Sequence, residues 1–94
     1  MNERSIKTLH VTVKGKVQGV FYRVSAKKMA EQLGITGWVK NTADGHVEIM
    51  ASGEEGALEH FINWCKEGPP GAHVTEIVTV PHHHSNFSNF TIER

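Results

Sequence analysis

The hydrophobic period of this chain changes across one short stretch, Gly15-Lys16-Val17-Gln18-Gly19-Val20-Phe21-Tyr22-Arg23. Before it, Leu9, Val11 and Val13 alternate with His10, Thr12 and Lys14, the period of a half-buried strand. After it, Ala26, Met29, Ala30 and Leu33 make one stripe of a helix over Tyr22 to Leu33, with Lys27, Lys28, Glu31 and Gln32 outside. The stretch is therefore a strand-to-helix turn, and Gly15 and Gly19 let its backbone adopt conformations that other residues resist. Such a turn aims several N–H groups at one spot, where unpaired donors and the helix dipole attract an anion. Arg23 falls in the first helical turn, a cation at the positive end of a helix. The placement makes sense if an anion lies between them, because the guanidinium fork matches phosphate oxygens in a bidentate way.

The remaining periods set the fold class. Gly34 fits the position just past the first helix. Ile35 to Asn41 reads as a second strand, with Ile35 and Val39 on one face and Trp38 on the other. Asn41-Thr42-Ala43-Asp44-Gly45 reads as a hairpin loop, followed by a third strand with Val47, Ile49 and Ala51 inward. Ser52 with Glu55 three residues on predicts a capping box. Leu58, Phe61, Ile62 and Cys65 form the stripe of the second helix, which Gly68-Pro69-Pro70-Gly71 stops. Val74, Val78 and Val80 suggest a fourth strand, and Phe90 with Ile92 a short last one. This order predicts an α+β ferredoxin-like βαββαβ sandwich: two helices on one face of a mainly antiparallel sheet, with a short strand appended.

Composition narrows the functions. The 94 residues make one small domain, 1–94, with residues 1–5 expected to be a mobile tail. Ten Lys and Arg balance ten Asp and Glu, so no global field argues for nucleic acid or an anionic membrane. An RNA-binding reading of the same element order needs a basic surface and aromatics on the third strand, whereas Val47-Glu48-Ile49-Met50-Ala51 has none. No apolar run suits a membrane span, and the N-terminus lacks the apolar core of a signal peptide. The lone Cys65 excludes an internal disulfide, which suits a reducing cytoplasm. The His82-His83-His84 run is expected to be an exposed loop, since adjacent strand residues face opposite ways and no Cys or acid adjoins them.

Three strings carry a family resemblance. The stretch Gly15 to Arg23 closely resembles the signature of the acylphosphatase family. Gly37-Trp38-Val39-Lys40-Asn41-Thr42-Ala43-Asp44-Gly45-His46-Val47-Glu48 resembles its other signature, and Gly68-Pro69-Pro70-Gly71-Ala72 its usual connector after the second helix. Both signatures stand in order, and the resemblance runs from about Leu9 to the C-terminus. It implies the same ferredoxin-like fold and hydrolysis of acyl phosphates. It also implies that Arg23 and the loop Gln18, Gly19, Val20, Phe21 and Tyr22 bind the substrate phosphate, while Asn41 positions the attacking water. Tyr22 departs from the commoner phenylalanine and Lys40 from the commoner arginine.

The residues support that chemistry directly. The leaving group of an acyl phosphate is a carboxylate, whose conjugate acid has a pKa of about 4 and needs little help from a general acid. The enzyme has only to hold the phosphoryl group, neutralise charge and aim a water. No metal or cofactor is expected, and free phosphate or sulfate should compete with substrate on a monomer. An inactive anion-binding module on the same fold is the alternative, and the presence of both Arg23 and Asn41 favours the enzyme.

Overall fold

The computed structural model describes residues 6–83 and 85–93 of the chain. The expected tail at residues 1–5 and the last residue of the histidine run, His84, lie outside the described residues. Seven elements follow in order: β1 (Ile6–Lys16), α1 (Tyr22–Leu33), β2 (Thr36–Asn41), β3 (Val47–Glu54), α2 (Glu55–Glu67), β4 (His73–His82) and β5 (Phe90–Ile92). The sheet order is β4-β1-β3-β2-β5, antiparallel except for the β2–β5 pair. Both helices lie on one face: α1 packs on β2 and β5, α2 on β1, β3 and β4, and the helices touch. This is the ferredoxin-like sandwich that the periods predict.

The core forms where the inward rows meet the helical stripes. Val11 and Val13 of β1, Val39 of β2, and Val47, Ile49 and Ala51 of β3 are fully buried beneath Ala26, Ala30, Leu58, Phe61 and Cys65. Burying each of the larger aliphatic or aromatic side chains among these contributes roughly 1.5–3 kcal/mol. Phe90 of β5 is buried as well and meets Phe61 edge-on, with ring centroids 6.0 Å apart. The helix α1 ends in a Schellman arrangement. Gly34, in the left-handed conformation, donates to Glu31 and Ile35 donates to Ala30, which leaves β2 to begin at Thr36.

Two local expectations give way to sheet pairing. Ser52 is not a helix cap. It lies within β3, opposite Thr8 of β1 and Thr36 of β2, and its buried Oγ accepts a 3.0 Å bond from the Thr8 hydroxyl. The strand runs on to Glu54, which precedes α2 and makes no side-chain cap bond. Pairing on both sides outweighs the one bond that a cap would add. The fourth strand also breaks simple alternation. Lys14 opposes Glu76 but Gly15 opposes Val74, so Thr75 is an extra, bulged residue. Val74 and Ile77 therefore share the core-facing side, while Val78 and Val80 lie exposed on the other. A Cβ on Gly15 would stand 2.1 Å from the His73 carbonyl oxygen, so the close approach at the bulge requires glycine.

The single thiol is structural. Burial pushes Cys65 up to about 12, against a smaller opposite effect of the Tyr22 hydroxyl. It should therefore resist a disulfide reagent at pH 8 in the native protein and react fully once guanidinium unfolds the chain. Native labelling at the rate of a free thiol would show that α2 opens far more readily than its packing implies.

Candidate active site

The cradle between β1 and α1 is anchored from below. Val17 is buried in the core, and Val20 packs against it. Tyr22 opens α1 with its ring buried, 5.3 Å from that of Trp64, and its hydroxyl donates to the Cys65 carbonyl at 2.7 Å. Burial raises the Tyr22 phenol well above its ordinary value, so it stays a donor. The start of α1 is thus pinned to the last turns of α2.

Above those anchors the donors are left uncommitted. Phe21 precedes the helix in the left-handed conformation, with φ 64°, and offers no side-chain cap. The first bond into the helix runs from the Ser25 N–H to the Phe21 carbonyl at 3.1 Å. The N–H groups of Gly19 through Val24 donate to no backbone carbonyl among the described residues. The first turn of α1 holds no acidic residue. Arg23 is half-buried there and has no carboxylate partner among the described residues. An electropositive spot with an unspent guanidinium results.

Asn41 reaches the same spot from another element. It ends β2 on the side that Gly37 and Val39 present to the core, so its side chain emerges where the helices stop covering the sheet. Arg23, Asn41, Gly19, Phe21 and Tyr22 line one cleft of about 270 Å³. Val17, Val24 and Ile92 complete its walls. Sequence reasoning did not name these three for the site. Val17 lies within the first signature and Val24 directly follows it, whereas Ile92 arrives through parallel pairing with Val39, which its short strand does not announce.

Gln18 and Val20 do not line the cleft. The Gln18 amide instead reaches across to the β2–β3 hairpin, donating to the carbonyls of Thr42 at 2.9 Å and His46 at 2.7 Å. It ties the cradle to the residue after Asn41. The hairpin is closed by Thr42 N–H to His46 carbonyl, 2.9 Å, and by His46 N–H to the Thr42 hydroxyl, 3.1 Å. The same hydroxyl bonds the Asp44 carboxylate, and this bond first of all holds Asp44 below its ordinary value. A lowered carboxyl adds stability above its unfolded pKa and loses it as pH falls through the folded one, so this contact is intact at neutral pH. No group of three His, Cys, Asp or Glu that could hold a metal ion occurs among the described residues, and none of their helices is long and apolar enough to cross a membrane.

Comparison with known proteins identifies the family and the fold. The family model for Acylphosphatase matches residues 9–92. An acylphosphatase of Rubrobacter xylanophilus is 51% identical over 71 residues, 76% of this chain and 64% of that protein. One of Methylococcus capsulatus is 50% identical over 70 residues, 74% of this chain and 76% of that one. The solved structure of an acylphosphatase from Coxiella burnetii superposes with a TM-score of 0.93 at 41% identity, covering 99% of this chain and all of the other. With the family match spanning both signatures and nearly the whole described chain, this protein belongs to the acylphosphatase family of hydrolases.

Proposed function

We propose that this chain hydrolyses the carboxyl–phosphate bond of acyl phosphates, with Arg23 and the N–H groups of 18–23 holding the phosphoryl group and Asn41 aiming the water. The observation that carries this reading is the convergence of an uncommitted guanidinium, uncapped helix donors and an amide on one cleft. The water adds to phosphorus and the acyl oxygen leaves with its electron pair. The acyl phosphate dianion and water become a carboxylate and dihydrogen phosphate. Donors placed before reaction stabilise charge on the phosphoryl oxygens without reorganising, and a phosphoryl oxygen takes the water's proton. No titrating side chain, metal or cofactor enters these steps. Free phosphate or sulfate would occupy the cradle as competing anions. We place the protein in the cytoplasm as a monomer.

The test sets benzoyl phosphate beside phenyl phosphate, each with and without EDTA. Turnover of the first alone, unchanged by chelator, is expected. Equal turnover of the monoester, or activity that EDTA removes and a divalent ion restores, would overturn the mechanism.

A further inference from the structure

The cleft has a polar floor and an apolar mouth. Three of the large apolar residues that the fold leaves exposed stand around it: Phe21 at 80% exposure, Val24 at 45% and Ile92 at 37%. They come from the cradle, the first turn of α1 and the edge strand β5. Single exposed apolar residues are ordinary, but a group of them at the mouth of a cleft marks a surface that meets an apolar partner. Phe21 adds a second observation. Its left-handed backbone is strained for an aromatic residue, and glycine or asparagine would form the same turn more easily. The ring makes no compensating contact with the core, being the most exposed of the large apolar side chains. Among the described residues that line the cleft, Arg23 alone is charged, and the phosphoryl group engages it. A second anionic group on the substrate would thus find no further cation among the described wall residues.

Resting on the activity proposed above, we infer that Phe21, Val24 and Ile92 form a subsite for the acyl group, which selects acyl phosphates with an uncharged, apolar acyl chain. With the phosphoryl group seated on Arg23, the acyl carbon must leave the cradle past this rim. The three side chains then cover the chain while the carboxylate departs toward solvent.

A homologous series of acetyl, propionyl and butyryl phosphates tests this, because leaving-group basicity is nearly constant and only methylenes are added. Burial of each methylene raises kcat/KM roughly two- to fourfold, so about tenfold is expected from acetyl to butyryl phosphate, mostly in KM. Phe21→Asn, which tolerates the left-handed turn, and Val24→Ser should each flatten the slope. Because the slope is taken within each protein, a change in the acetyl phosphate rate cancels. Normal turnover of acetyl phosphate with no rise along the wild-type series overturns the subsite and leaves the activity standing. A slope that survives in both variants also overturns it. Failure to hydrolyse any member of the series removes the activity itself, and the subsite with it.

Discussion

Arg23→Ala is expected to lower kcat/KM by on the order of 10³–10⁵, the range that a phosphate-neutralising arginine contributes in other phosphoryl-transfer sites. Both constants should suffer, since the guanidinium holds the phosphoryl group before reaction and again as charge redistributes over its oxygens. Stability should move the other way, or not at all. Arg23 has no carboxylate partner among the described residues, and it places a cation at the positive end of α1. Relief of that clash is worth roughly 0.3–1 kcal/mol. A residue that costs the empty protein stability is retained for what it binds. The same variant should abolish the rise in melting temperature that phosphate gives the wild type, because a ligand that binds only the native state stabilises by RT ln(1 + [L]/Kd). Arg23→Lys should rescue poorly, since a point charge lacks the bidentate fork. Calorimetric titration with phosphate reads the outcome, and normal affinity in Arg23→Ala would move the cradle to another loop.

How much of this site is legible in the sequence depends on the range of the interaction that builds it. The bounds of α1 follow from local terms: its stripe is complete from Ala26 to Leu33, and Gly34 closes it with bonds to the preceding turn. Arg23 is legible for the same reason, as its oddity at a helix start is a local fact. Ser52 misleads because its cap signature is local while its true partners, Thr8 and Thr36, are 44 and 16 residues away. The face of β4 is hidden by the bulge at Thr75, which shifts the inward residues from an even to an odd spacing. Ile92 enters the cleft through parallel pairing of a three-residue strand, too short for any period to show. The Gln18 amide is the clearest case. Its position within the signature suggests a role toward the phosphate, and only the folded chain brings it to the Thr42 and His46 carbonyls.

That link shapes the second large effect, at Asn41. Asn41→Ala should lower kcat by on the order of 10²–10³, the loss seen when one positioned donor is removed from other active sites. KM should change little, because the amide is assigned to the water and not to the phosphoryl group. This is the mark of an interaction made mainly in the transition state. Asn41→Asp should fail as well, since a carboxylate facing the phosphoryl anion repels it. The fold should survive both changes. Asn41 is half-buried at the end of β2, and its backbone pairing opposite Val47 does not depend on the side chain. Gln18→Ala separates positioning from contact. The amide bonds to the Thr42 and His46 carbonyls rather than to Arg23 or Asn41, and these two bonds set the hairpin against the cradle. Its loss should therefore reproduce part of the kcat defect, and adding Asn41→Ala to it should cost less than the two single losses combined. Steady-state kinetics of the two single variants and the double variant decide the matter. A normal kcat in folded Asn41→Ala would reduce that residue to the end of a strand, and strictly additive losses would mean that Gln18 does not act through it.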